Sequence, residues 1–128
     1  MQSYQVIVDS SVWIDYFKKG NNDILDRLIE EDLICTNDLI LTELIPFLIH
    51  QNHDSVVEEL QAVNRIPLNI DWDIIREYQL MNLKNEINNV GIPDLIILNQ
   101  VIQNKLTLFT FDKHFKLMQK HLYFELIE

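Results

Sequence analysis

Four acidic residues, each close to the end of a predicted strand or the start of a predicted helix, have the chemistry of a divalent cation site. They are Asp9, Glu43, Asp94 and Asp112. Taken singly, each has an ordinary explanation as a helix cap, a complement to a helix dipole or a solvated surface group. If all four meet at one edge of a sheet, their charges repel and one or more carboxyl groups stays protonated unless a cation is bound. A hard divalent cation with oxygen ligands removes that repulsion.

Asp94 lies near the start of the apolar run "VGIPDLIIL", residues 90–98. A carboxylate beside a buried apolar segment is costly unless it has a partner. Pro93 suits the first helical position, so we predict a buried helix whose first turn carries Asp94. In an α/β fold the amino end of this helix points to the same rim as the carboxyl ends of the strands, where ligands collect.

The elements that must position these acids alternate between short apolar runs and amphipathic segments. Strands are predicted at 5–9, 33–36, 65–68, 106–110 and 123–126, with 65–68 near an edge because Pro67 cannot donate to a ladder. Helices are predicted from Ser10 or Ser11 as cap to Gly20, then over 23–31, 37–51, 53–64 and 71–86, from Pro93 onward, and over 112–120. The predicted apolar faces include Ile24 and Ile29 in the second helix and Leu83 in the fifth. Alternating strands and helices indicate right-handed βαβ units, so we expect an α/β fold, a three-layer α/β/α domain with a mainly parallel central sheet, in one domain over 1–128.

The composition is that of a globular protein with a strong negative charge. Of 128 residues, 48% are hydrophobic and 23% charged, and no apolar run reaches the ~18 residues that span a membrane. The single cysteine, Cys35, excludes an internal disulfide and suits a cytoplasmic location, and the N-terminus enters a strand without a basic leader. Twenty acids against ten Lys and Arg give a charge of −10, which argues against unaided binding to a polyanion. This charge is compatible with a bound cation or a basic protein partner.

The segments "VDSSVWID", "LTELIPFL", "GIPDLIIL" and "LFTFDKHF" together resemble the PIN-domain nucleases, and most closely the toxin ribonucleases of VapC type. The resemblance extends over essentially the whole chain. It implies that Asp9, Glu43, Asp94 and Asp112 form an acidic quartet that binds Mg²⁺ or Mn²⁺, supported by the hydroxyl groups of Ser11 and Thr110. It also implies RNA as substrate, a cognate antitoxin that inserts a basic residue into the acidic pocket, and a homodimer.

Two features depart from the family pattern. The helix after the third acid is usually rich in alanine, whereas "PDLIILNQVI" is bulky. Many relatives carry a further acid two residues after the last one, where this chain has His114. The number of metal ions therefore stays open.

Contacts with RNA have few candidates in so acidic a chain. Lys113, Lys116 and Lys120 form a strip that could contact the phosphate backbone, although a solvated helix face is the simpler interpretation. Trp13 and Tyr16 could stack on bases, but packing in the core or at a dimer interface is the preferred interpretation.

Metal-dependent hydrolysis by carboxylates is the favoured chemistry, with Asp9 and Asp94 as direct ligands and Glu43 or Asp112 orienting the attacking water. A haloacid-dehalogenase-type phosphatase needs a second Asp two residues after Asp9, where this chain has Ser11, and a receiver domain needs paired acids there. The strongest alternative is a catalytically inactive PIN-like module that binds protein or RNA.

Overall fold

Five short parallel strands form the centre of the domain. The structure is a computed structural model and describes residues 4–127, so residues 1–3 and 128 of the predicted domain lie outside the described residues. The strand order is β3-β2-β1-β4-β5, and all four pairings are parallel. The strands are β1 (Val6–Val8), β2 (Ile34–Thr36), β3 (Asn64–Arg65), β4 (Thr107–Phe109) and β5 (Glu125–Ile127). The predicted parallel sheet is confirmed.

In the part of the chain that the structure describes, seven helices cover the two faces of this sheet. They are α1 (Ser10–Lys19), α2 (Asp23–Glu30), α3 (Asp38–His50), α4 (Asp54–Gln61), α5 (Trp72–Lys84), α6 (Ile92–Gln103) and α7 (Lys113–Met118). The chain moves outward from β1 to β3, then returns past β1 to β4 and β5. Right-handed crossovers in these opposite directions place α1–α4 on one face and α5–α7 on the other. The three-layer α/β/α architecture is confirmed. No helix within residues 4–127 is long and apolar enough to cross a membrane.

The core explains why α6 has such a continuous apolar sequence. Leu95, Ile97 and Leu98 are completely buried, and the helix buries polar side chains as well. Gln100 is 2% exposed; its Nε2 donates to the carbonyl oxygen of Ile66 at 3.1 Å, and its Oε1 accepts from Asn37 at 2.7 Å. Because nearly every side of α6 is covered, its amino end is held firmly at the edge of the sheet.

Two predicted boundaries were wrong, each for a local reason. The cap of α1 is Asp9, and both Ser10 and Ser11 lie inside the helix. The predicted strand at 65–68 is an edge strand, but it covers Asn64–Arg65. The backbone N–H of Ile66 still donates to Thr36 at 2.8 Å, and pairing then stops because Pro67 has no N–H to donate.

Three predicted apolar contacts were also wrong. Leu83 is 66% exposed, while its neighbour Asn82 is buried and donates to the sulfur of Met118 at 3.4 Å. In α2, Leu25 and Leu28 are buried as predicted, whereas Ile24 and Ile29 are each 41% exposed. A narrow contact stripe is enough to hold α2 because only one side of it meets the core.

Candidate active site

Asp9 is the most deeply buried acid of the site. It directly follows β1, the central strand, and is 5% exposed. Its Oδ2 accepts hydrogen bonds from the hydroxyl of Ser11 and from the hydroxyl of Thr110, both at 2.8 Å. Hydrogen bonds to an ionised carboxylate are stronger than neutral ones, so they offset part of the cost of burying this group.

The same two hydroxyls also hold the end of β4 beside the end of β1. The Ser11 oxygen accepts from the backbone N–H of Phe111 at 3.1 Å, and the Thr110 oxygen accepts from that of Asp112 at 3.0 Å. The backbone N–H of Asp9 donates to Phe109 at 2.9 Å. The strand order reverses between β1 and β4, which is where open α/β sheets bind ligands.

Asp94 reaches this place from the first turn of α6. Its Oδ2 accepts from the backbone N–H of Gly91, the residue that caps the helix, at 3.3 Å. Burial raises the pKa of the Asp94 carboxyl, and the negative charges of Asp112 and Asp9 raise it further. The Gly91 N–H and the nearby His114 act in the opposite direction on this pKa. Asp94 therefore shares a common electrostatic environment with two other acids of the predicted quartet.

Glu43 lies on α3 and is exposed to solvent. Partial burial raises the pKa of its carboxyl, and the charges of Asp9 and Asp94 also raise it, whereas a hydrogen bond from Ser10 lowers it. The pKa of the Glu43 carboxyl is therefore coupled to the charges of two acids from other segments.

Asp112 completes the group and caps α7. Its Oδ1 accepts from the backbone N–H of His114 at 2.9 Å and lies 2.7 Å from Nδ1 of the same residue. An ionised carboxylate can only accept, so in that form of Asp112 the imidazole donates through Nδ1–H and orients the carboxylate. His114 thus contacts the last acid directly.

We call Asp9, Glu43, Asp94 and Asp112 together the acidic site. Its donors are carboxylate oxygens, the ligands that Mg²⁺ and Mn²⁺ prefer. In each of the three aspartates the hydrogen bonds described above fall on one oxygen, so a cation can be bound through the other without breaking them. Within residues 4–127, no group of three His, Cys, Asp or Glu side chains is already arranged to hold a metal ion. The chemistry of these donors fits a hard cation.

Comparison with known proteins identifies the family of this chain. The model of the PIN domain matches residues 6–120, most of the chain. This chain belongs to the PIN domain family. No curated protein matches it.

Solved structures agree with the PIN domain assignment at the level of the fold. The VapBC complex of Salmonella typhimurium bound to DNA is similar with a TM-score of 0.77 and 16% identity, covering 98% of each chain. VapBC2 of Rickettsia felis bound to a promoter DNA fragment has a TM-score of 0.74 and 17% identity, covering 96% of this chain and 98% of that one. VapC20 of Mycobacterium tuberculosis, described as a toxin that cleaves the Sarcin-Ricin loop, has a TM-score of 0.61 and 13% identity, covering 88% of this chain and 94% of that one.

Among the aromatic side chains of α1 in this PIN domain, Trp13 is buried, and Tyr16 and Phe17 are partly buried. Trp13 is 4% exposed and stacks on Phe17 with ring centroids 5.8 Å apart. The Tyr16 hydroxyl donates to Asp26 of α2 at 2.6 Å. For Trp13, packing in the core is supported over base stacking. The predicted alternative, packing at a dimer interface, stays a prediction.

Other predicted residues occupy simpler positions. Lys113 and Lys116 are exposed on α7, and Lys120 follows that helix. Cys35 is completely buried in β2, and burial raises the pKa of its thiol to about 12, so it stays protonated and unreactive.

Sequence reasoning missed one residue at the rim of the acidic site. Phe111 lies between Thr110 and Asp112 and is 48% exposed. The only signal available was its place between two predicted site residues, since a lone phenylalanine after a strand more often belongs to the core.

Proposed function

We propose that this PIN domain is a metal-dependent endoribonuclease that hydrolyses RNA phosphodiester bonds as the toxin of a VapC-type toxin–antitoxin pair. The observation that carries the proposal is the acidic site itself. A buried aspartate with two hydroxyl donors lies at the point where strand order reverses, and three further carboxyl groups share its electrostatic environment. An arrangement of this kind serves no evident purpose in packing, because the repulsion raises the free energy of the folded chain.

Each acid has a proposed role. Asp9 and Asp94 are the direct ligands of Mg²⁺ or Mn²⁺, while Glu43 and Asp112 bind directly or through water and one of them orients the attacking water. When bound, the cation neutralises charge on the phosphate and lowers the pKa of the attacking water. Ser11 and Thr110 hold the Asp9 carboxylate in one orientation, since outer hydrogen bonds of this type fix the direction of a ligand.

The proposed partners follow from charge and from the similar structures. Two of the similar structures described above are of VapBC, and we propose an antitoxin partner for this chain. A chain of charge −10 suits a partner that brings a basic side chain to the acidic site. We also propose a homodimer, and contacts of the RNA backbone with Lys113 and Lys116 beside the site.

A nuclease assay tests the function directly. Labelled single-stranded and stem-loop RNAs are incubated with the protein in Mg²⁺ or Mn²⁺, with and without EDTA. The variants are Asp9→Asn and, as a matched control, Glu58→Gln, which neutralises an exposed acid on α4. We expect cleavage by the wild type and by Glu58→Gln, and none with EDTA or with Asp9→Asn.

Two outcomes would contradict the proposal. Cleavage that persists in EDTA or in Asp9→Asn would show that the acidic site is not responsible. RNA binding without cleavage in either metal would favour the alternative, a PIN-like module that is catalytically inactive and binds protein or RNA. One observation favours the inactive module: within residues 4–127, no group of three potential metal ligands is close enough to hold an ion.

A further inference from the structure

The position of Phe111 sets it apart from the other exposed aromatic rings. Within residues 4–127 the large exposed aromatic side chains are those of Tyr4, Trp72, Phe111 and Tyr123. Tyr4 and Tyr123 precede β1 and β5, at the amino edge of the sheet. Trp72 lies beside Gln103, at the end of α6 opposite to Asp94. Phe111 alone among these four follows the carboxyl end of a strand, in the segment that enters the acidic site.

The Phe111 ring is held in place before any ligand arrives. It packs edge-to-face on the buried ring of Phe109, with centroids 5.7 Å apart and an interplanar angle of 86°. The backbone N–H of Phe111 donates to the Ser11 hydroxyl at 3.1 Å, so the loop is tied to the same residue that supports Asp9. A ring fixed in this way loses little conformational freedom when another group stacks on it.

An aromatic ring can contribute to RNA binding in a protein whose negative charge repels phosphate. A nucleic acid is usually held through many phosphate contacts to Lys and Arg, but this chain has a charge of −10 and acids surround the site. Stacking of a base on an aromatic ring does not depend on positive charge and tolerates any base, because every base has a π-face. A neutral contact beside the acids can therefore supply affinity that the local charge opposes.

We propose that Phe111 stacks on a nucleobase of the RNA next to the bond that is cut, and so sets where the strand lies relative to the acidic site. This inference rests on the proposed function, because it requires RNA as the substrate. Phe111 then acts in substrate positioning, while the acids act on the phosphate. Lys113, two residues further along and exposed, is placed to meet the adjoining backbone.

Binding is measured without cleavage by using the Asp9→Asn background, or the wild type in EDTA if that variant does not fold. Single-stranded RNA oligonucleotides carrying a terminal fluorophore report Kd by anisotropy. We compare Phe111→Leu, which keeps apolar bulk but loses the ring, with Phe111→Trp, which keeps a π-face. Tyr123→Leu is the matched control, since it removes an exposed ring at the other edge of the sheet.

Phe111→Leu should weaken binding by roughly 5- to 150-fold, the range reported for loss of one base–aromatic stack, and Phe111→Trp should retain it. Tyr123→Leu should leave Kd unchanged. A 2-aminopurine base moved stepwise along the RNA should be quenched at one position, and that quenching should disappear in Phe111→Leu. In the cleaving protein, Phe111→Leu should raise KM more than it lowers kcat.

The outcomes separate this inference from the function on which it rests. If RNA binds and Phe111→Leu leaves Kd and the quenching unchanged, stacking by Phe111 is refuted while the nuclease proposal stands. If neither background binds RNA and the wild type does not cleave it, both proposals are refuted.

Discussion

Thr110→Val removes one hydroxyl from the acidic site and leaves the shape of the side chain almost unchanged. That hydroxyl donates to the buried Asp9 carboxylate at 2.8 Å and accepts from the backbone N–H of Asp112 at 3.0 Å. After the substitution, Ser11 is the remaining hydroxyl donor of this pair for Asp9. The variant therefore measures how far the hydroxyls stabilise the buried charge.

The expected loss can be estimated from these two hydrogen bonds. A hydrogen bond to a charged group contributes roughly 1.5–3 kcal/mol to stability and a neutral one roughly 0.5–1.5 kcal/mol. Their sum predicts a loss of about 2–4.5 kcal/mol in the free energy of unfolding. A typical domain has about 5–15 kcal/mol of total stability, so we expect the variant still to fold.

Urea unfolding followed by circular dichroism, in EDTA, measures the loss. With a denaturant slope of about 2 kcal/mol/M, in the middle of the usual range, the midpoint should fall by roughly 1–2 M urea. Thr110→Ser is the matched control: it keeps the hydroxyl, and the lost methyl group should cost about 1 kcal/mol. The reasoning is refuted if Thr110→Val and Thr110→Ser lose equal stability, or if Thr110→Val loses less than about 0.5 kcal/mol.

Two further predictions concern stability alone. The pKa values of Glu43 and Asp94 are raised in the folded chain above their ordinary 4.5 and 3.8, so the folded chain binds more protons than the unfolded one. Without metal, the stability of the fold should therefore fall as the pH rises above those values toward neutrality, and millimolar Mg²⁺ should restore part of the loss. The melting temperature measures both effects. A melting temperature that rises over this pH range and does not change with Mg²⁺ would contradict the repulsion between the acids. Lys105 has a φ of 52°, in the left-handed region, so Lys105→Gly should raise the free energy of unfolding by about 0.5–1 kcal/mol, as measured with urea. Asn89 has a φ of 66°, which asparagine tolerates, so Asn89→Gly should change the free energy of unfolding less. Equal effects at both positions would argue against left-handed strain at Lys105.

The order of elements was predictable because it depends on strong, local patterns. Buried parallel strands have short apolar sequences, and β1, β2 and β4 each lie within such a sequence. Asn37 and Asp71 both cap their helices through side-chain oxygens as their residue types suggest. When strands and helices alternate, right-handed crossovers allow only a few topologies. The edge of the sheet near which the four acids lie can therefore be predicted from the pattern.

What could not be predicted depends on contacts between distant segments. Ser11 has the type of a helix cap, but its hydroxyl bonds to Asp9 and to the Phe111 backbone because β4 lies beside β1. Asn82 is buried and Leu83 exposed because α5 meets Met118 on the side where Asn82 lies. Local sequence carries no information about which distant segment packs against a residue. Predictions of burial and hydrogen bonding therefore fail most readily for polar side chains whose partner lies in such a segment.

The hydrogen bond between Thr110 and Asp9 joins residues 101 positions apart, nearly the full length of the chain. During synthesis, Asp9, Glu43 and Asp94 are all added to the chain before the strand that supports Asp9. A chain interrupted before residue 107 lacks β4 and so leaves β1 without its neighbour on that side. Contacts so distant in sequence also form slowly. Assembly of the acidic site is thus coupled to completion of the polypeptide, and a nascent or truncated chain carries the acids without the means to hold them together.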